Sequence, residues 1–79
     1  MKLQFFTTLG CHLCEQAAQL IDELQTDSHP DLFVESIDIA DDDALFERYG
    51  IRIPVVKRTD VDHDLGWPFD KDGLKQYLE

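Results

Sequence analysis

The sequence predicts an α/β protein in which a mixed four-stranded sheet carries helices on its faces, in the order β-α-β-α-β-β-α. Two periods predict this class: apolar residues recur at helical steps over residues 11–25 and alternate with polar residues over residues 32–39. A short apolar run at residues 2–6 precedes the helical segment, so the three segments form a βαβ unit with parallel strands. The length of 79 residues allows one domain, which we expect to span residues 1–79.

The βαβ unit begins with a strand over Lys2–Phe6, a run rich in aromatic residues. Thr7–Gly10 forms the loop into a helix over Cys11–Gln25. The second strand is expected over Leu32–Ile39, although its alternation does not identify the buried face. The apolar stripe of the helix is predicted to contain Leu13, Ala17, Leu20, Ile21 and Leu24. Cys14 shares a face with Ala17 and Ile21, so it should be more buried than Cys11.

A second, shorter helix is predicted after the second strand. Asp41-Asp42-Asp43 opens it, Tyr49 lies near its end, and Gly50 is its C-terminal stop. Three consecutive carboxylates point in different directions on a helix. We therefore interpret them as groups that cap the helix and complement its dipole, and not as a cation site.

The last part of the chain predicts two strands and a helix. Pro54 cannot donate a hydrogen bond to a sheet and should stand where an apolar strand begins. Val55–Arg58 and Val61–Leu65 are expected to pair as a hairpin that turns near residues 59–60. Asp70 is expected to cap the final helix. The apolar face of that helix should consist of Leu74, Tyr77 and Leu78.

The charge of the chain argues against several classes of partner. Seventeen acidic and seven basic residues give a formal charge of −10, which disfavours nucleic acids and anionic membrane surfaces. The apolar run after Lys2 is too short for a signal peptide, and no run approaches the length of a membrane span. We therefore expect a cytoplasmic protein, in whose compartment closely spaced cysteines serve catalysis or metal binding more often than architecture.

The motif with the clearest chemistry is Cys11-His12-Leu13-Cys14 at the start of the first helix. The first turn of a helix has unpaired backbone N–H groups and a partial positive charge, which stabilise a thiolate and bring its pKa below about 8.5. Cys11 is therefore the candidate nucleophile, and Cys14, one turn further on, is the candidate resolving thiol. A protonated His12 would further favour the Cys11 thiolate. The local pattern leaves two alternatives open: half of a zinc site, or a structural disulfide.

Three segments together carry a resemblance to a known family: Thr7–Cys14, Tyr49–Val55 and Leu65–Asp70. In these segments the chain resembles thioredoxin-fold proteins and, more narrowly, the small glutaredoxin-like proteins of bacteria. The resemblance implies a thioredoxin-like fold, a cis peptide bond between Ile53 and Pro54, and a Pro54 loop beside the first cysteine. It also implies that the main chain of Ile53 pairs with an extended thiol substrate, as a strand would.

The chain departs from the glutaredoxin pattern where that pattern recognises glutathione. C-H-L-C replaces C-P-Y-C, Thr8 stands where a Lys is common, and a single Gly66 followed by Trp67 replaces the Gly-Gly-Asp that holds the γ-glutamyl group. Arg52 or Arg48 could substitute as a carboxylate partner, but the charge of −10 opposes an anionic tripeptide.

The predicted function is that of a thiol–disulfide oxidoreductase, in which Cys11 and Cys14 are catalytic. The predicted substrate-binding residues are Ile53, Pro54, Arg52 and His12. We expect a monomer that acts on protein or small-molecule disulfides, with no metal and no tightly bound cofactor, and with glutathione as a candidate co-substrate.

Two alternative functions remain open. The first is a metal or iron–sulfur module, for which the cysteines would need further ligands such as His63 or a second copy of the chain. The second is a redox-inactive interaction domain, in which Trp67 and Phe69 would form an exposed patch rather than close the core.

Overall fold

The computed structural model describes residues 1–79 and confirms the predicted α/β class and element order. The first half comprises strand β1 (Lys2–Thr7), helix α1 (His12–Asp27), strand β2 (Phe33–Asp38) and helix α2 (Asp43–Tyr49). A 3-10 turn over Ile39–Asp41 separates β2 from α2. The second half comprises strand β3 (Val55–Arg58), strand β4 (Leu65–Gly66) and helix α3 (Lys71–Leu78).

The four strands form one mixed sheet in the order β2-β1-β3-β4. Strands β1 and β2 are parallel, as the βαβ prediction requires, and Thr7 at the end of β1 lies opposite Asp38 at the end of β2. Strand β3 runs antiparallel to β1, with Phe6 opposite Val55 and Leu3 opposite Arg58. The loop before β3 and the loop after β1 therefore emerge at the same end of the sheet.

Each face of the sheet carries its own apolar cluster, because alternate residues of a strand point to opposite faces. Leu3, Phe5 and Val56 pack with buried residues of α1 and α3 on one face. Phe6 and Val55 pack with Ile39 and Tyr49 on the other. The Phe6 and Tyr49 rings stack with centroids 4.3 Å apart, so the short helix α2 is held to the sheet mainly by its last residue.

The stripe predicted for α1 is wrong at Leu13. The Leu13 side chain is 44% exposed, while Cys14 is only 4% exposed and joins Ala17, Ile21 and Leu24 in the core. The observed stripe of Cys14, Ala17, Ile21 and Leu24 is rotated toward Cys14, so Leu13, four residues before Ala17 and in the first turn of α1, falls at its edge. The predicted burial of Cys14 is confirmed.

The hairpin predicted for residues 55–65 is wrong in its second strand. Strand β4 contains only Leu65 and Gly66, and residues 59–64 form a loop. Only Val55 and Val56 of β3 pair with β4, and two carboxylates of the loop, Asp60 and Asp64, are bound by arginine side chains. The second predicted strand also ends early, because Ile39 leaves it for the 3-10 turn and packs in the core.

Capping explains where two helices begin, as the sequence predicts. The side chain of Asp42 accepts hydrogen bonds from the backbone N–H groups of Ala44 and Leu45 and so caps α2. The side chain of Asp70 accepts the N–H of Gly73 and caps α3. None of the helices combines the length and the hydropathy that crossing a membrane requires.

Candidate active site

Cys11 and Cys14 lie at the start of α1, at the end of the sheet where β1 finishes. Cys11 is the N-cap residue, and the backbone N–H of Cys14 donates to the Cys11 sulfur at 3.1 Å. The two residues are joined by a disulfide, with their Cα atoms 5.2 Å apart. Cys11 is partly exposed and Cys14 is buried, so an incoming molecule meets Cys11 first.

The loop that presents Cys11 depends on Gly10. Its φ of +81° lies in the left-handed region that side chains disfavour, and no atom stands near the position of its missing Cβ. The glycine is therefore required by the turn and not by crowding. The turn directs the chain from β1 into α1 and leaves the Cys11 side chain at the cap.

The Pro54 loop lies at the same end of the sheet as the cysteines. The register that pairs Phe6 with Val55 makes Pro54 the neighbour of the β1 end, from which the Cys11 loop starts. The peptide bond between Ile53 and Pro54 is cis, as the resemblance implies, and the bond between Trp67 and Pro68 is cis as well. The Pro54 carbonyl accepts the N–H of Trp67 at 3.0 Å, which ties this loop to the end of β4.

Ile53 has one main-chain group engaged and one open. Its N–H donates to the Tyr49 carbonyl at 3.0 Å, while its own carbonyl has no hydrogen-bond partner within the chain. Its side chain packs against both apolar clusters, and Cys11 packs against one of them. The Ile53 carbonyl is therefore the group of this residue that is left for a substrate.

A surface groove of about 240 Å³ runs beside the cysteines and was not foreseen from the sequence. Cys11 and Cys14 both contribute to its lining, but Cys14 is only 4% exposed, so Cys11 is the accessible residue of the pair. The groove is lined mainly by the loop that follows β1 and by one side of α1. The sequence does not indicate it, because it forms only where these two segments pack together. The lining residues are Phe5, Thr7, Thr8, Leu9, Gly10, Cys11, Cys14, Glu15 and Ala18.

His12 lies at the edge of this site and points into solvent. Its side chain is 88% exposed, and its Nδ1 lies 3.5 Å from the Oε2 of Glu15. A protonated His12 would therefore share its charge with the Glu15 carboxylate as well as with Cys11. Its role in substrate binding stays a prediction.

Arg52 is close to the Pro54 loop in sequence, but its guanidinium is already bound by a carboxylate. Asp64 accepts two hydrogen bonds from it, at 2.5 Å and 3.1 Å. This hydrogen bonding lowers the pKa of Asp64 and raises that of Arg52, against the opposing effect of partial burial. Arg48 and Arg52 lie 5.4 Å and 5.8 Å from the centre of the Tyr49 ring.

Asp64 is the functional candidate that the sequence did not identify. It stands twelve residues after Arg52, inside the run Asp60–Asp64, where nothing distinguishes it from its acidic neighbours. Only the path of the 59–64 loop brings it to Arg52.

The residues weighed for the two alternative functions lie apart from the cysteines or pack against the core. No three His, Cys, Asp or Glu side chains meet in an arrangement that could hold a metal ion. His63 lies against Tyr77, whose hydroxyl binds the backbone of Arg58 at the opposite end of the sheet from Cys11. Trp67 and Phe69 stack edge to face and pack against the core cluster of α1 and α3.

Comparison with known proteins supplies a family and a fold. Residues 2–79 match the family model described as "Glutaredoxin-like domain (DUF836)". None of the curated proteins matches the chain.

Three solved structures illustrate the similarity. The structural-genomics target XcR50 from X. campestris shares 34% identity over 96% of this chain and 93% of its own, with a TM-score of 0.79. Protein Ne2328 from Nitrosomonas europaea shares 33% identity over 99% of this chain and 91% of its own, with a TM-score of 0.76. Thioredoxin 1 from Thermosipho africanus shares 19% identity over 99% of this chain and 94% of its own, with a TM-score of 0.66, and supports the fold alone.

Proposed function

The chain belongs to the glutaredoxin-like domain family and has a thioredoxin fold, and from that premise we propose that it is a thiol–disulfide oxidoreductase. Cys11 is the attacking residue and Cys14 the resolving one. Substrates are disulfides of proteins or small molecules.

The observation that carries this proposal is the position of Cys11 as the cap of α1. Its sulfur accepts the backbone N–H of Cys14, where most caps offer an oxygen. In the reduced protein the same N–H group and the positive end of the helix dipole would stabilise a thiolate at this place. Cys11 would therefore be ionised in a larger fraction of molecules near neutral pH than an ordinary cysteine.

In the first step, the Cys11 thiolate attacks one sulfur of a substrate disulfide R–S–S–R′. A Cys11–S–S–R bond forms, the S–S bond of the substrate breaks, and R′–S⁻ leaves and takes a proton from water. No net electron transfer to an outside acceptor is needed, because the substrate disulfide itself is the oxidant.

In the second step, the Cys14 thiol loses its proton to water that enters through the groove, and its thiolate attacks the Cys11 sulfur. A Cys11–Cys14 disulfide forms and R–S⁻ is released. The dithiol has then given two electrons to the substrate, and R–S⁻ takes its proton from water, as R′–S⁻ did. The Cα separation of 5.2 Å lies in the usual range for a disulfide, so the step needs no large movement of the helix.

Substrate recognition is proposed to use the Pro54 loop. An extended substrate segment would donate an N–H to the open carbonyl of Ile53, in the manner of an added strand. Pro54 donates no hydrogen bond and is buried, so it would shape the site and not bind through a polar group. Glutathione is the co-substrate to be tested first for regeneration of the dithiol.

The test combines two variants with a redox titration. Cys14→Ser should stop after the first step and accumulate one equivalent of mixed disulfide on Cys11, seen as an added mass. Cys11→Ser should accumulate none, because its remaining thiol is buried. The wild-type pair should titrate as a two-electron couple in glutathione buffers, and recycling by glutathione or by thioredoxin reductase identifies the reductant.

Equal trapping by both variants would contradict the assignment of roles. Absence of any titration would contradict the function itself.

A further inference from the structure

We propose that Asp64 determines substrate specificity: by holding the Arg52 guanidinium, it withholds a positive charge beside the Pro54 loop from anionic disulfides. This inference rests on the proposed thiol–disulfide exchange at Cys11. The protein should therefore discriminate against glutathione-like substrates and favour neutral or cationic ones.

The first observation is the completeness of the ion pair. The two terminal nitrogens of Arg52 donate to the two oxygens of Asp64, a fork-to-fork arrangement in which the two planar groups meet edge to edge. The Asp64 side chain is 17% exposed and that of Arg52 is 41% exposed. The carboxylate is thus largely shielded, while the guanidinium still reaches the surface where a substrate would pass.

The second observation is where the guanidinium lies. Arg52 is two residues before Pro54, and its N–H donates to the Tyr49 carbonyl, which fixes its backbone. A Cβ built on Gly66 would lie 3.2 Å from a terminal nitrogen of Arg52, and Gly66 pairs with Val55, the residue after Pro54. The head group therefore rests on the strand pair that carries the Pro54 loop.

Competition explains the expected effect. A substrate carboxylate that approaches Arg52 must displace Asp64, which is attached to the same chain and is always present at high local concentration. The net charge of −10 adds a general repulsion of anions. Replacing Asp64 by a neutral residue should remove the competitor and leave the guanidinium free.

The chain contains its own matched control at the other end of the sheet. Arg58 makes a similar two-point ion pair with Asp60, with distances of 3.0 Å and 2.7 Å. Arg58 lies opposite Leu3, far from the end of β1 that leads to Cys11. Asp60→Asn removes the same charge away from the site and leaves the Arg58 guanidinium bound to the Tyr77 carbonyl. Asp62, which makes no ion pair, supplies a third variant that changes charge alone.

The test measures second-order rate constants for oxidation of the reduced protein by three disulfides: oxidised glutathione (anionic), bis(2-hydroxyethyl) disulfide (neutral) and cystamine (cationic). Asp64→Asn should raise the rate constant with oxidised glutathione about fivefold at low salt, and leave that with the neutral disulfide within about twofold. The gain should shrink as salt is added, since salt screens the exposed guanidinium. Asp60→Asn and Asp62→Asn should each give less than half of the gain that Asp64→Asn gives with oxidised glutathione.

The gain in rate with oxidised glutathione should depend on the Arg52 guanidinium. The double variant Arg52→Gln with Asp64→Asn should lose it and return to within about twofold of the wild-type rate with oxidised glutathione, because neither charge of the pair remains. Asp64→Ser, which removes the same carboxylate, should give the same gain and keeps the proposal testable if Asp64→Asn fails to fold.

Three results would overturn the proposal: no gain in a folded Asp64 variant, the same gain in Asp62→Asn, or a gain that survives in the double variant. A rise with all three disulfides alike would indicate a loosened structure and would also overturn it. Failure of the wild-type dithiol to react with any of the three would instead refute the proposed function.

Discussion

At the scale of single residues, the proposed chemistry depends on the Cys11 sulfur, which occupies the N-cap position of α1 where most helices have a side-chain oxygen. Cys11 caps α1 through its side chain, and Gly10 supplies the left-handed backbone that brings the chain into the cap. These two roles are separable, because Gly10 makes no close contact that a larger side chain would disturb. A change at Gly10 should therefore report on backbone conformation alone.

We expect Gly10→Ala to lower the free energy of unfolding by about 1 kcal/mol, because alanine is disfavoured at a φ of +81°. Gly10→Asn should lose less, since asparagine tolerates the left-handed region better than alanine does. Urea unfolding of both variants measures the difference. An alanine variant as stable as the wild type would show that this backbone position is not constrained.

The cysteine pair could be predicted from the sequence because its geometry is local. A helix start fixes the relation of residues three apart, whatever the remainder of the fold does. The Arg52–Asp64 pair could not be predicted, because it joins residues twelve apart across an irregular loop. The exposure of Leu13 could not be predicted, because Leu13 and Cys14 both stand at helical steps from Ala17 and the sequence alone does not decide between them.

At the scale of elements, the helices follow local rules and the last strand does not. Asp42 and Asp70 were expected as caps and act as caps, since a carboxylate that accepts N–H groups of the first turn needs only its own neighbours. Strand β4 has two residues instead of five, since only Leu65 and Gly66 pair with β3 and the residues before them form an irregular loop. Alternation in the sequence therefore overestimates the length of β4.

We expect Asp42→Ala to lower the free energy of unfolding by about 1 kcal/mol, because two N–H groups at the start of α2 lose their acceptor. Asp43→Ala is the matched control: it removes the same charge one position later, but no cap. Its effect should be a few tenths of a kcal/mol, the size of an interaction with the helix dipole. Urea unfolding of the two variants checks this, and equal losses would contradict the interpretation of the acidic triplet.

At the scale of the whole molecule, the parallel βαβ unit and the final helix were predictable, but the assignment of residues to the two faces of the sheet was not. Alternation in β2 gives two equivalent sets, and only the positions of α1 and α2 decide that Val34 joins one cluster and Ile37 the other. The sheet order follows from the same packing. It places the Pro54 loop next to the end of β1 and so assembles the candidate site.

The charge of the whole molecule opposes the thiolate that the helix start favours. Seventeen carboxylates raise the pKa of any thiol, and one of them, Glu15, lines the groove beside Cys11. The molecule measures 34 × 26 × 18 Å, so most of these charges act across more than the Debye length of about 8 Å in physiological salt. The N–H of Cys14 acts at 3.1 Å. The local effect should therefore exceed the global one.

The pH dependence of Cys11 alkylation in the Cys14→Ser variant tests this balance, and with it the central claim, most directly. This variant keeps the backbone N–H at position 14 and leaves Cys11 as the only thiol. The account predicts that the rate of reaction with iodoacetamide follows a pKa at least about one unit below the free-thiol value of about 8.5. A pKa at or above about 8.5 would contradict it.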